Sequence, residues 1–405
     1  MTEYSSSELM ELEHKYGAHN YHPLPVVLDK GKGAKVWDVE GREYFDFLSA
    51  YSAVNQGHCH PKIIQAMTEQ AERLTLTSRA FHSSALGVFE KYMAEYFGFD
   101  KVLAMNTGAE AVETAIKLCR KWAYQKKGIE PHKARILVCD GNFHGRTTTI
   151  ISFSNDEEAR ADYGPYTPGF THVPYNDLAA MEEAMQAPDI AGVLVEPIQG
   201  EAGVIIPDDG FLKGIRELCT KHNALMLADE VQTGIARTGK LLAVNHENVR
   251  PDVLILGKAV SGGVYPVSAV LADDDIMLCI KPGQHGSTYG GNPMACQVAM
   301  AALDVVRDEQ LAENAEIQGA ALRAGLREIP HPLLKTVRGR GLLNAIDIEP
   351  ANGIDGWQVC LKLAENGLLA KPTHEHTIRF SPPLVISSEE VQECIGILKK
   401  TFAEL

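Results

Sequence analysis

No basic block offsets the acidity of this chain. Its 38 lysines and arginines face 53 aspartates and glutamates, a formal net charge of −15, and that balance speaks against a nucleic-acid surface. No apolar run approaches the roughly 20 residues that a membrane-spanning helix needs. The eight cysteines (59, 119, 139, 219, 279, 296, 360 and 394) form no Cys-x-x-Cys pair. Several sit in apolar patterns, as at Leu118-Cys119, Val138-Cys139 and Leu218-Cys219, which suits buried free thiols in a reducing compartment. The Met1–Glu11 stretch carries acids but no apolar segment and no arginine, so neither a secretory signal nor a mitochondrial presequence is expected, and the cytoplasm is the default location. The dinucleotide pattern GxGxxG and the nucleotide pattern GxxxxGKS are both missing, which disfavours a dehydrogenase. Histidine pairs in Gly57-His58-Cys59-His60-Pro61 and Thr373-His374-Glu375-His376 lack a third ligand cluster, so no metal is expected. Internal repeats and low-complexity tracts are also absent.

What is present is an ordinary globular composition: 405 residues, 45% hydrophobic, 35 glycines and 20 prolines. That length suffices for two lobes and a large core. Ser5 and Glu8 have capping-box spacing and Gly17 can end the helix they open, so residues 5–17 are predicted helical. Alternation around Glu40-Gly41 within Lys35–Phe47 predicts a hairpin. From about 60 to 290, helical patterns alternate with short apolar strands at 102–105, 135–139, 192–195, 225–228, 253–256 and 267–271. Such alternation implies a mostly parallel sheet covered by helices, an α/β fold. Asn292-Pro293 opens a predicted helical stretch to about Leu326, and strands at 341–348 and 377–380 read as part of a smaller α+β domain. The expected division is 1–50 for an N-terminal arm and hairpin belonging to the small domain, 51–290 for the large domain, and 291–405 for the C-terminal small domain.

Chemistry gathers at the strand ends. The apolar run Val253–Leu256 closes in Gly257 and is followed at once by Lys258; the run Leu225–Ala228 closes in Asp229. Open α/β sheets place their ligands at such edges. A lysine amine and a carboxylate together serve a pyridoxal phosphate cofactor, the amine holding its aldehyde and the acid keeping its ring nitrogen protonated. Taken singly, a lysine after a strand is usually a solvated loop residue, and Asp229 is equally a helix cap or a metal ligand.

Other segments add to the set. Met105–Ile116 follows a strand and opens a helix, so Thr107 and Gly108 either cap it plainly or offer amides and the helix dipole to a phosphate. In Gly141-Asn142-Phe143-His144-Gly145-Arg146 the glycines allow a tight turn. It brings Phe143 to the sheet edge, either to stack on a planar ring or to fill core. Arg146 clamps a carboxylate or lies on the surface. Val195–Gly203 carries two acids, Glu196 and Glu201, which suit general acid/base work or, for Glu201, recognition. Gln232 stands three residues beyond Asp229, about one turn away if a helix starts there. Gly286–Gly291 offers the hydroxyls of Ser287 and Thr288, either to a phosphate or simply within an interdomain loop.

Together these residues resemble the class III, fold-type I pyridoxal phosphate aminotransferases. The general signals are Asn106-Thr107-Gly108, the Gly141–Arg146 run, Ala228–Gln232 and Gly257-Lys258. Within that family Asn20–Pro25, Ser49–His60, Thr75–Phe81 and Ala370–His374 resemble the members that act on ornithine. His144 and Ala109 depart from the family pattern, where Trp and Val are frequent, and neither change touches a reacting group.

The resemblance implies a large domain with a smaller one built from both chain ends. It implies pyridoxal 5'-phosphate held by Lys258, Asp229, Gln232, Phe143 and the amides of Gly108 and Ala109. Ser287 and Thr288 would come from the neighbouring subunit of a homodimer. It implies Tyr21, Tyr51, Arg146, Glu201 and Arg379 as the substrate set, with Glu201 masking Arg379 until a dicarboxylate arrives. The implied reaction moves the δ-amino group of L-ornithine to 2-oxoglutarate. The rivals are an acetylornithine, 4-aminobutyrate or other ω-amine aminotransferase, an aminomutase or decarboxylase on the same cofactor, and a non-catalytic cofactor-binding regulator.

Overall fold

The computed structural model describes residues 4–374 and 376–405. Its centre is a seven-stranded sheet made of Lys101–Met105 (β1), Arg135–Cys139 (β2), Phe170–Val173 (β3), Ile190–Val195 (β4), Leu225–Asp229 (β5), Val253–Leu256 (β6) and Ser268–Ala272 (β7). The order across the sheet is β1-β7-β6-β5-β4-β2-β3. The β2, β3, β4, β5 and β6 strands run parallel to one another, while β7 is antiparallel to both of its neighbours.

Alternation along these strands explains why the sheet lies inside the protein. Successive side chains point to opposite faces. Leu137, Val193, Met226, Leu254 and Leu271 enter one apolar core, whereas Ile136, Leu194, Leu227, Ile255 and Val270 enter another on the far side. Both faces are therefore covered, as a parallel sheet requires. The Gly108–Trp122 helix packs across β6 and β7, and the Phe211–Lys221 helix packs on β5.

Two smaller four-stranded sheets flank this core. One holds the predicted hairpin, Lys35–Asp38 paired with Glu43–Asp46, and adds the C-terminal strand Leu368–Leu369 parallel to the latter. The N-terminal arm and the C-terminal segment are thus joined by one hydrogen-bonded sheet. The other runs Leu334–Arg340, Leu343–Ile348, Thr377–Phe380 and Lys371–Thr373. The N-terminal helix spans Ser6–Tyr16 with the expected capping box from Ser5 and Glu8.

The structure corrects the sequence reading in places. The single helical stretch expected from 292 to 326 is two helices, Pro293–Asp308 and Leu311–Arg327, because Gln310 takes the left-handed conformation at φ 53°. No helix starts at Asp229; residues 231–238 form consecutive turns. Among the described residues no helix is long and apolar enough to cross a membrane.

Candidate active site

The ends of β2, β4, β5 and β6 converge on one cavity of 160 Å³ whose lining includes Lys258, Asp229, Gln232, Phe143, Gly108 and Ala109. Each predicted cofactor residue except Ser287 and Thr288 reaches it. Lys258 leaves β6 through Gly257 and sits at φ 44°, a left-handed conformation that a lysine adopts only when its surroundings impose it. Burial, reinforced by the nearby Arg379 charge, brings its amine down to about 8.

Asp229 ends β5 with both carboxylate oxygens engaged. Oδ1 accepts from the Val231 amide at 3.0 Å, and His144 Nδ1 donates to Oδ2 at 2.6 Å. The imidazole of His144 is fully enclosed. Burial opposes its protonation, yet the hydrogen bond and charge of Asp229, helped by Glu196, raise its pKa overall. Glu196, at the end of β4, accepts from the Phe143 amide at 2.8 Å and the Gly200 amide at 3.3 Å. Burial holds its carboxyl up at about 7. The Gly141–Arg146 turn is thereby pinned at both Phe143 and His144. Gly145 there has φ 129°, and a Cβ would meet that of Ala109 at 3.0 Å, so the turn needs a glycine.

The Gly108–Trp122 helix opens with Thr107 and Glu110 as a reciprocal capping box. Its first amides, on Gly108 and Ala109, have no acceptor within the helix and face the cavity with the positive end of the dipole. Gln232 borders the cavity beside Gly200, where an added Cβ would collide with its Oε1 at 1.9 Å. Ser287 instead accepts from the Asn106 side chain at 2.9 Å, and neither it nor Thr288 lines the Lys258 cavity of its own chain.

A second, wider cavity of 760 Å³ brings together Tyr21, Tyr51, Arg146, Glu201 and Arg379, the whole predicted substrate set. Arg379 is only 4% exposed and pairs with Glu201 at 2.9 Å. Its guanidinium stands 5.5 Å from the centre of the Tyr51 ring. Thr373 donates to both the carbonyl and the carboxylate of Glu201, at 2.9 and 3.2 Å. Arg146 is exposed, 5.8 Å from the centre of the Phe143 ring, and Tyr21 is 66% exposed at the rim.

Tyr51 is displayed by four consecutive non-glycine residues of positive φ, Ser49 to Ser52. Asp46 accepts the Leu48 and Ser49 amides and Ser49 Oγ donates to the Ser381 carbonyl, which holds this left-handed turn against its steric cost.

Sequence reasoning did not assign His144, Thr373 or Lys371 a place in the site, and it offered Glu196 only as a general acid or base, not as the anchor of the Phe143 turn. Proximity to Phe143 and Glu201 was the available signal. Among the described residues no His, Cys, Asp and Glu cluster suits a metal; Glu375, in the second histidine segment, lies outside them.

The donor set suits one kind of ligand. A desolvated amine meets an aldehyde, a buried carboxylate meets a protonated ring nitrogen, an aromatic face meets a planar ring, and free helix-terminal amides meet a phosphate.

Known proteins agree with that chemistry. The family model for aminotransferase class-III matches residues 16–402. The mitochondrial ornithine aminotransferase of Rattus norvegicus is 60% identical over 398 residues, covering 98% of this chain and 91% of that protein. An ornithine aminotransferase structure from Toxoplasma gondii, described with partial PLP occupancy at its active site, superposes with TM-score 0.97. It has 49% identity and covers 99% of this chain and 94% of that one. The acetylornithine aminotransferase from Elizabethkingia anophelis gives TM-score 0.91 at 58% identity, covering 99% and 100% of the two chains. Fold, strand-end chemistry and full-length similarity agree: the chain belongs to the class III aminotransferases.

Proposed function

We propose that the protein transfers the δ-amino group of L-ornithine to 2-oxoglutarate, giving glutamate and glutamate 5-semialdehyde, which cyclises to pyrroline-5-carboxylate. The observation that carries this reading is the Glu201–Arg379 pair at 2.9 Å in the cavity beside Lys258. One site must accept a diamine that offers Arg379 no carboxylate, and then a dicarboxylate that does. A buried guanidinium without a partner costs about 3–5 kcal/mol. Glu201 supplies the partner during the ornithine half and yields to the 2-oxo acid in the other.

Pyridoxal phosphate, when bound, supplies an aldehyde for the amino group and a cationic ring that draws in electrons as the proton leaves the δ-carbon. Lys258, Asp229, Gln232, Phe143 and the Gly108 and Ala109 amides would hold it. Lys258 Nζ takes the proton from the δ-carbon. Asp229 would keep the ring nitrogen protonated, and His144 fixes that carboxylate. Tyr21 engages the ornithine α-ammonium and Arg146 its α-carboxylate, so the δ-end alone reaches Lys258. Ser287 and Thr288 serve the phosphate of the other subunit in a homodimer.

The similarity to an acetylornithine aminotransferase at 58% identity favours N-acetylornithine as a second donor. Absorbance titration of the cofactor-loaded protein, without 2-oxo acid, separates the two. L-Ornithine is expected to discharge the cofactor band, with pyrroline-5-carboxylate trapped as product. Discharge by N-acetylornithine or 4-aminobutyrate instead would transfer the assignment to them.

A further inference from the structure

Lys371 and Arg379 stand directly opposite each other across an antiparallel strand pair. Both side chains therefore leave the same face of that sheet, as near neighbours. Thr373, two residues along from Lys371, shares the face and already holds the Glu201 carboxylate at 3.2 Å. Glu201 is thus held on the face that carries both cations, and among the described residues it forms its ion pair with Arg379 alone. Lys371 forms no ion pair with a described carboxylate. Its ammonium lies 6.0 Å from the centre of the Tyr21 ring and borders the same cavity. Burial lowers the Lys371 pKa while the Glu201 charge pulls it back up, so the two groups already interact.

We infer that Lys371 is the second seat of Glu201: when a dicarboxylate takes Arg379, the displaced carboxylate turns to the Lys371 ammonium. This rests on the reading of the cavity as one that binds ornithine and a 2-oxo acid in turn. Leaving Arg379 forfeits a charge-assisted hydrogen bond, and a cation on the same face restores one. The Thr373 hydroxyl stays within reach of Glu201 in both positions, because it is anchored to the Glu201 carbonyl as well. Lys371 is then a positioning residue. It acts on the dicarboxylate through Glu201 and lowers the cost of freeing Arg379.

The test is a double-mutant cycle read by calorimetric binding of glutarate to the cofactor-loaded protein. Glutarate is a five-carbon dicarboxylate without an oxo group, so no turnover intrudes. Lys371→Met is expected to weaken glutarate about tenfold, and Lys371→Arg to restore it to within about threefold, as expected of residues that share an ion-pair network. In a Glu201→Ala background the same Lys371→Met change is expected to alter affinity less than about twofold, because no carboxylate then needs a seat. Equal weakening in both backgrounds would mean that Lys371 acts on the ligand directly and would overturn the inference. So would an unchanged affinity in the protein that retains Glu201. Amino transfer from L-ornithine is assayed separately in the unaltered protein. Its absence would defeat the functional reading while leaving the glutarate cycle interpretable.

Discussion

At the floor of the site the polar groups hang from strand ends and are tied to backbone or to one another. Asp229 is held by His144 and the Val231 amide, and Glu196 by two amides. At the mouth the charges are long side chains on short strands and turns, in a cavity nearly five times larger, 760 against 160 Å³. There the Glu201–Arg379 pair fixes a geometry, with Thr373 on Glu201 and the Gly200 carbonyl on Arg379. The difference matches two tasks. Proton transfer at one carbon needs a preorganised, dry constellation. Admitting two unlike substrates in turn needs charges that can exchange partners. The floor is built to stay, and the mouth to rearrange.

Breaking the floor should cost most. Lys258→Ala is expected to lower kcat at least about 10³-fold, as loss of a nucleophile does, and steady-state turnover with L-ornithine and 2-oxoglutarate measures it. Near-normal turnover would remove Lys258 from the reaction. Asp229→Ala should follow at about 10²–10³-fold, the scale of a lost electrostatic partner. It also strands the His144 imidazole, whose Nε2 has no hydrogen-bond partner among the described residues, so urea denaturation should show a loss of about 1–3 kcal/mol.

Breaking the mouth should alter choice more than rate. With Glu201→Ala, Arg379 stays open for α-carboxylates during the first half-reaction. Transfer from the α-amino group of ornithine should then rise about tenfold relative to transfer from the δ-amino group, a change worth about 1.4 kcal/mol. Product analysis by mass spectrometry reads the ratio, and an unchanged ratio would remove the masking role.

The protonation of Lys258 sharpens the comparison in the cofactor-free protein. Its amine is neutral above about 8 rather than 10.5. Uptake of pyridoxal phosphate should therefore climb about tenfold per pH unit below that point and level off above it, since only the free amine attacks. Between about 8 and 10.5 the unfolded chain carries the extra proton, so cofactor-free stability should rise with pH across that window. Uptake still climbing at pH 10 would place the amine in water. The smallest effect belongs to the turn that displays Tyr51. Exposed Ala50 lies at φ 47°, so Ala50→Gly should relieve strain and raise stability by up to about 1 kcal/mol in chemical denaturation. A clear loss would show the turn to be unstrained.

The floor was the more legible half in sequence. An apolar run ending in a lone charged residue marks a strand end, and Lys258 and Asp229 could be placed from that alone. The His144–Asp229 bond was not readable, because it depends on β2 lying one strand away from β5 across β4. Lys371 stayed hidden because its place opposite Arg379 is a matter of register, which hydrophobic patterning does not report on a strand three residues long. The left-handed turn at Ser49–Ser52 contains no glycine to announce it. The edge strands Phe170–Val173 and Leu334–Arg340 escaped notice because they are short of fully buried residues. The break at Gln310 escaped because residues on either side are good helix formers.

The central claim is that the mouth presents only the δ-end of ornithine to Lys258. Isotope tracing tests it most directly: the protein is supplied with L-ornithine carrying ¹⁵N at the δ-position or at the α-position, together with 2-oxoglutarate, and the glutamate formed is weighed by mass spectrometry. The account predicts label in glutamate from the δ-labelled substrate and almost none from the α-labelled one. Label arriving from the α-position to a comparable extent would contradict it.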